Sequence, residues 1–349
     1  MLKNFLFSND LGLDLGTSSV QIYMEGKGVV VREPSVVALD KNTGRILQVG
    51  AAAQNMLGRT PGNVVAMHPL RDGVISDHEM TVKMLQTLFR KATKAGFFTP
   101  KPRVVVSVPS GVTEVEERTV INAAIEAGAR RVYLIEAPLA AAMGAGLNIS
   151  QAEGHMVVDI GGGTTDIAVL SMNGVAASSS MEIAGDLFDE TIIRFVRWKY
   201  GMVIGTVTAE AMKIQIGCVV PRPENVGMTV SGRDVKNGTA RTETITSADL
   251  CDALSRPARQ IAEEVLSVLE KTSPELVSDI ARNGICLTGG GSQLWGLARL
   301  IEDRCGIPCS VADDPESCVV YGCGKSLSWM NRMQEGPINI ARKRVLRGL

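Results

Sequence analysis

The stretch His155–Gly174 reads HMVVDIGGGTTDIAVLSMNG: an apolar run, an aspartate, three glycines, two threonines and a second apolar run. Two such runs around a glycine turn form a strand, a reversal and a returning strand. Glycines leave the backbone N–H groups of the turn unobstructed, and a row of such donors makes a concave anion site of the kind that cradles phosphate. Asp159 would repel a phosphate, so its use beside one is to hold a cation through water, and a magnesium nucleotide is the economical occupant. Taken alone, the pattern serves equally well as a hairpin whose turn only reverses the chain.

The pattern occurs twice. Gly12–Tyr23 reads GLDLGTSSVQIY, in which Asp14, Gly16, Thr17 and Ser18 echo Asp159, Gly161, Gly162, Gly163, Thr164 and Thr165. The two aspartates are 145 positions apart, which implies two similar halves facing one ligand. A third glycine cluster, Leu287–Ser292 (LTGGGS), follows an apolar run and precedes Gln293, Leu294 and Trp295. Three such turns in this order are far more specific than any one of them.

Asp14–Thr17 (DLGT), Asp159–Thr165 (DIGGGTT) and Thr288–Ser292 (TGGGS) resemble the phosphate-1, phosphate-2 and adenosine motifs of the actin, sugar-kinase and heat-shock-chaperone ATPase superfamily. Within it the chain is similar to the bacterial actin MreB family over roughly residues 9 to 330. The stretches Gly26–Asp40, Asn55–Asp77, Lys101–Pro109 and Pro274–Ile280 carry that likeness.

The resemblance implies an α/β, actin-like ATPase fold of two duplicated RNase H-like domains, each with a small inserted subdomain. The first would span 1–145, with an insert at about 29–78, and be completed by 320–349; the second would span 146–319, with an insert at about 186–248. It also implies ATP and Mg2+ as ligands, with Asp14 and Asp159 near the metal through water and Asp14, Asp159 and Glu136 as candidate catalytic groups. The nucleotide would meet Gly16, Thr17, Ser18 and Ser19 on one side and Gly161, Gly162, Gly163, Thr164 and Thr165 on the other. Gly289, Gly290, Gly291, Ser292 and Gln293 would hold the adenosine, and Glu210 and Lys213 the ribose and base edge. Asp186, after Gly185, resembles the family's AGD turn and is equally suited to capping a helix.

Length and composition permit this. A chain of 349 residues can bury two cores, and 45% hydrophobic with 21% charged residues is ordinary for a globular protein. A net charge of −1 gives no reason to expect nucleic acid. Seven cysteines without a CxxC pair and three histidines make no zinc set, so the thiols are expected free in a reducing cytosol, including the close pairs Cys305/Cys309 and Cys318/Cys323.

No apolar run reaches the roughly 18 residues of a membrane span. At the N-terminus Leu2, Phe5 and Leu6 instead form a short apolar helical face. Phe97 and Phe98 sit together in a loop after a helix expected at 79–94. In the resembled family both places meet the membrane, which implies a cytoplasmic protein peripheral to the inner face of the cell membrane. Weak anchors of this kind hold firmly only when many copies are linked.

Local signals fill in the remainder. Strands are expected at Val29–Asp40 and Arg45–Ala51 around a turn at Asp40–Gly44, and a doubly buried strand at Val104–Val108. Thr113 and Glu116 make a capping box for a helix ending at Gly128. Thr208 is expected to cap a helix at Ala209–Ile216, which places Glu210 and Lys213 three apart on one face. Turns at Ser231-Gly232 and Asn237-Gly238 divide a small antiparallel sheet, and Pro257 should bend or split a helix at Ser247–Lys271. Gly322–Ser326 (GCGKS) fails as a phosphate loop because the first glycine of GxxxxGK would fall on Val319; small residues packing near the Asp14 strand are expected instead. The basic tail with Arg342, Lys343, Arg344 and Arg347 reads as a solvated end.

Three function classes compete: filament, small-molecule kinase and chaperone-type ATPase. A chaperone needs a substrate domain beyond the nucleotide core, and a kinase needs an acidic base for its acceptor hydroxyl, for which no unassigned candidate is present. The expectation is therefore an ATP-binding filament former that meets itself, the membrane surface and the membrane proteins of the cell-shape complex, and that is linked to wall synthesis. The alternatives are a non-polymerising or very slowly hydrolysing paralogue of the family that regulates, and a small-molecule kinase of the same fold. One departure bears on the first. The family carries two adjacent acidic residues before the linker proline, the second orienting the attacking water, whereas here the stretch is Ile135-Glu136-Ala137-Pro138.

Overall fold

The structure, a computed structural model, describes residues 10–93, 100–330 and 338–339. Leu2, Phe5, Leu6, Phe97, Phe98 and the basic tail lie outside them.

The first half opens with an antiparallel meander, β1 (Leu11–Leu15), β2 (Ser19–Met24) and β3 (Gly28–Pro34). A satellite sheet follows, built from β4 (Val37–Asp40), β5 (Ile46–Val49) and, after the short helix α1 (Ala51–Gln54), β6 (Val64–Met67), in the order β5-β4-β6. The small hairpin of β7 (Leu70–Arg71) and β8 (Val74–Ile75) leads into α2 (His78–Thr93), β9 (Arg103–Val108), α3 (Glu114–Glu126), β10 (Arg131–Glu136) and α4 (Ala137–Gly144).

The second half repeats the plan with β11 (His155–Ile160), β12 (Thr165–Ser171) and β13 (Gly174–Met181), then α5 (Gly185–Tyr200). Its satellite sheet is β14 (Met202–Val203), β15 (Gly227–Asp234) and β16 (Ala240–Thr246), with α6 (Thr206–Ile216) intervening. After it come α7 (Ser247–Glu270), α8 (Pro274–Asn283), β17 (Ile285–Thr288), α9 (Leu297–Cys305), β18 (Cys309–Val311), α10 (Cys318–Met330) and β19 (Ile338–Asn339).

The duplication is visible in the pairing. One large sheet runs β19-β10-β9-β1-β2-β3 and the other β13-β12-β11-β17-β18. Each holds a three-strand antiparallel meander whose first strand is joined by two later parallel strands, β9 then β10 in one and β17 then β18 in the other. The later strands return through helical crossovers, the connection that parallel pairing demands. This is the α/β plan of two equivalent sheets that the resemblance implies.

Two large apolar clusters fill the halves and a third lies between them. The third joins α4 and α10 to Val105 and Tyr133 of one sheet and Val157, Ala168 and Leu170 of the other. Glycine makes it possible. A Cβ on Gly144 would lie 1.7 Å from the Cys318 carbonyl oxygen, and one on Gly322 would lie 1.8 Å from that of Ala140. Gly12 and Gly324 close the same helix onto β1 and Tyr23, so GCGKS is indeed a packing sequence.

Several local expectations change. The strand at β3 belongs to the large sheet, with Val20 opposite Glu33, and the satellite sheet starts only at Val37; the apolar run carries no mark of that change of sheet. Ser231-Gly232 is no turn but lies within β15, where Gly232 has no Cβ to meet the Val203 carbonyl oxygen at 2.5 Å. The helix expected from Ala209 starts at Thr206, with Gly205 at its N-cap and no side-chain cap. Of the bend or split expected at Pro257 the split does not occur: Ser247–Glu270 is one helix with Pro257 inside it, opened by a capping box of Thr246 and Asp249. The box of Thr113 and Glu116 forms as expected.

Because the α4–α10 contact is backbone against backbone, no rotamer change can relieve an added methyl group. Gly322→Ala is expected to lower stability by about 3 kcal/mol or more in urea denaturation, and Gly62→Ala, where a Cβ meets nothing, by under about 0.5 kcal/mol.

Candidate functional site

Asp14 and Asp159 stand at the penultimate positions of the equivalent strands β1 and β11. Each is held by a hydroxyl from the neighbouring parallel strand. Ser107 on β9 donates to Asp14 Oδ1 at 2.9 Å, and Thr288 on β17 donates to Asp159 Oδ1 at 2.7 Å. The duplication thus includes the residues that orient the carboxylates.

After each aspartate the chain turns on glycine. Gly16 N–H donates to the Ser19 carbonyl at 3.1 Å, and Gly161 N–H donates to that of Thr164 at 2.9 Å. The two turns meet face to face. A Cβ on Gly162 would lie 1.8 Å from Ser18 Oγ, and one on Gly163 would lie 2.5 Å from Thr17 Oγ1. The third turn packs under β11, where Gly289 at φ +78° passes 2.3 Å from the Ile160 carbonyl oxygen in Cβ terms.

The turns enclose a cleft of about 810 Å³ between the halves. Of the expected residues, Asp14, Gly16, Thr17, Ser18, Ser19, Asp159, Gly161, Gly162, Gly163 and Thr164 line it, as do Glu210, Lys213, Gly289, Gly290, Gly291 and Gln293. Thr165, Ser292 and Glu136 do not. Thr165 is fully buried and its hydroxyl donates to the Ile183 carbonyl at 2.6 Å, while that of Ser292 donates to Gly289 at 2.6 Å. Both side chains brace the turns from behind. Ala137, the first residue of α4, lines the cleft, and its neighbour Glu136 does not.

Lys213 does not pair with Glu210. Its Nζ lies 2.8 Å from Asp189 Oδ2 and donates to the Gly185 carbonyl at 3.0 Å. Asp189 is one helical turn beyond Gly185 on α5 and gave no signal in the sequence beyond ordinary helix polarity. Asp186 caps nothing by its side chain, since the N-cap is Ala184; its Oδ1 accepts from Ser18 Oγ at 3.2 Å, across the two halves. Asp166 also spans them, accepting from Ser110 N–H at 2.8 Å and from Thr164 Oγ1 at 3.1 Å. Ser107, Arg222 and Trp295 line the cleft and were not singled out as site residues.

Burial pushes the Asp14 carboxyl up to about 6, against the lowering effect of the Ser107 hydrogen bond. It pushes Asp159 up to about 7, with the charges of Asp166 and Asp14 adding to the rise and Thr288 opposing it. Two carboxylates that would rather be neutral are a site short of positive charge. Among the described residues no group of three or more metal-type side chains forms a cage. A hard cation here would fit as an ion that keeps its waters, touched by two carboxylates and completed by the oxygens of an anion on the glycine turns.

The sign of the pH effect follows. Ionising a carboxyl whose folded pKa is raised costs stability, so the ligand-free protein loses stability as pH climbs from about 4 to about 7, and the loss is complete above that. Asp159→Asn is expected to raise ligand-free stability at pH 7.5 by roughly 1–4 kcal/mol and to flatten the slope between pH 4 and 7. Urea titrations at pH 5 and 7.5 check it, and an unchanged slope would remove the carboxylate from the account.

The family model described as MreB/Mbl protein matches residues 8–335. Over 337 residues the chain is 49% identical to the cell shape-determining protein MreB of Escherichia coli K12, covering 95% of this chain and 97% of that one. It is 45% identical over 328 residues to the cell shape-determining protein Mbl of Bacillus subtilis 168, covering 94% and 98%. The crystal structure of MreB5 of Spiroplasma citri bound to ADP superposes with a TM-score of 0.87 at 36% identity, covering 92% and 97%. The same protein bound to AMPPNP gives 0.87 at 35%, covering 97% and 98%. The double helical filament of MamK, 22% identical with a TM-score of 0.77 over 93% and 99%, shares the fold.

Proposed function

Because the chain belongs to the MreB/Mbl family, we propose that it is an ATP-binding bacterial actin that polymerises on the inner face of the cell membrane and helps determine rod shape by organising wall synthesis. The observation that carries the nucleotide reading is the cleft itself, with equivalent buried aspartates on equivalent strands under three glycine turns. The ADP and AMPPNP bound by the S. citri relative support it.

In this reading the phosphates lie against Gly16–Ser19 and Gly161–Thr164, the adenosine against Gly289–Gly291, and the ribose near Glu210 and Lys213. Mg2+ would be held through water by Asp14 and Asp159 and would screen the charge of the phosphates and both carboxylates. The halves would divide at 1–145 completed by 320–349, and 146–319. Partners would be further copies of the chain, the membrane surface and the membrane proteins of the cell-shape complex.

No helix among the described residues is long and apolar enough to cross a membrane. The membrane contact is assigned to Leu2, Phe5, Leu6, Phe97 and Phe98, many weak anchors adding along one polymer. Deleting residues 1–7 together with Phe97→Ala and Phe98→Ala is expected to abolish flotation with anionic vesicles while ATP-dependent pelleting persists. Each aromatic contributes roughly 1.5–3 kcal/mol if fully buried. Co-flotation of that variant would put the anchor elsewhere.

Ala137 favours a second, narrower reading of slow turnover. A methyl group can neither accept a proton nor hold a water, and general-base assistance typically contributes about 10²–10⁴-fold. Asp166, the other carboxylate beside the turn, is already bonded to Ser110 and Thr164. The protein would then bind ATP yet release phosphate slowly, giving long-lived filaments or a regulatory paralogue. Ala137→Glu should speed single-turnover phosphate release by at least about tenfold; equal rates in wild type and variant would show that Ala137 disables nothing.

A further inference from the structure

All seven cysteines are free thiols, and one pair is set apart by its geometry. Cys218 follows α6 and Gly217 and is completely buried. Its Sγ donates to the Ser247 carbonyl at 3.2 Å. That carbonyl lies in the first turn of α7, with Cys251 four residues further on, and in a helix the side chain at i+4 leans back over residue i. The two thiols are therefore carried to the same turn of α7. Cys251 is partly exposed while Cys218 is buried. Three other sulfurs also rest on carbonyls, Cys309 on Ile307, Cys318 on Asp314 and Cys323 on Leu13, but none of these carbonyls lies one helical turn before a second cysteine of the same helix.

Arg222 links this pair to the cleft. Its guanidinium lies 5.1 Å from the Trp295 ring centroid and donates to the Gly217 carbonyl at 2.8 Å. Val219 N–H donates to the Trp295 carbonyl at 2.9 Å, so the segment after Cys218 is tied to the same wall. Gly217, Arg222 and Trp295 all line the cleft. Burial, and after it the neighbouring Cys251 thiol, hold the Cys218 thiol up at about 11, with the Arg222 charge working against them.

We propose that Cys218 and Cys251 are a redox-sensitive pair, which a hydroperoxide converts to an intramolecular disulfide that stiffens the cleft wall formed by Gly217, Arg222 and Trp295. The exposed Cys251 sulfur attacks one peroxide oxygen; an S–O bond forms, the O–O bond breaks, and hydroxide leaves to become water. The Cys218 sulfur then attacks the Cys251 sulfur; the S–S bond forms, the S–O bond breaks, and a second water departs with the Cys218 proton. Two thiols and one hydrogen peroxide give one disulfide and two waters, the sulfurs losing two electrons in all. A small thiol reverses it by exchange.

The test treats the full chain with hydrogen peroxide, alkylates the remaining thiols and maps the peptides by mass. A Cys218–Cys251 cross-link two hydrogens lighter than its reduced peptides is expected, reversed by dithiothreitol and absent from Cys251→Ser and Cys218→Ser variants with native circular dichroism. Alkylation of both thiols after peroxide, or a cross-link between a different pair, overturns the proposal. For the coupling, amide hydrogen exchange across Gly217–Arg222 should slow about tenfold in oxidised wild type and not in peroxide-treated Cys251→Ser; equal exchange overturns that half. Neither readout involves a nucleotide, so each outcome is independent of whether the cleft binds ATP.

Discussion

The close crossing of α4 on α10 is the contact on which the remaining architecture depends. Two backbones approach where Gly144 and Gly322 carry no Cβ, and the pair is clamped from both sides by residues of the two large sheets. Each sheet has its own apolar core, and this third cluster packs the two side by side around the cleft. Side chains at these glycines would open the crossing and with it the distance between the Asp14 and Asp159 strands.

Given that frame, the chemistry of the cleft follows from symmetry. Equivalent strands deliver equivalent carboxylates, each oriented by a hydroxyl from the strand beside it, and burial raises both above the ordinary carboxylate range. Such a pair stores unfavourable electrostatics that a bound cation removes. Polar ties across the halves, Ser18 to Asp186 and Ser110 to Asp166, lie at the same level as the glycine turns. Binding in the cleft and the spacing of the halves are therefore coupled through shared residues. On the far side Gln21 and Arg32 join β2 and β3 to the Asp314–Ser317 segment, the Gln21 amide donating to the Glu316 carbonyl at 2.6 Å.

The sequence by itself determined the repeated strand–glycine turn–strand units and their aspartates, because each is a local pattern. Period, turn residues and capping pairs act over a few positions, which is why the boxed helix after Thr113 is legible in the chain. The MreB family likeness supplied the plan of two matched halves, which the sheet orders bear out. What the tertiary structure alone decided are the relations between distant positions. It assigned β3 to the large sheet, gave Lys213 to Asp189 rather than Glu210, turned Thr165 and Ser292 behind their turns, and set the Cys218 thiol on the Ser247 carbonyl of α7. A side chain's partner across the fold depends on register and on which face packs inward, and neither is written in the spacing of neighbouring residues.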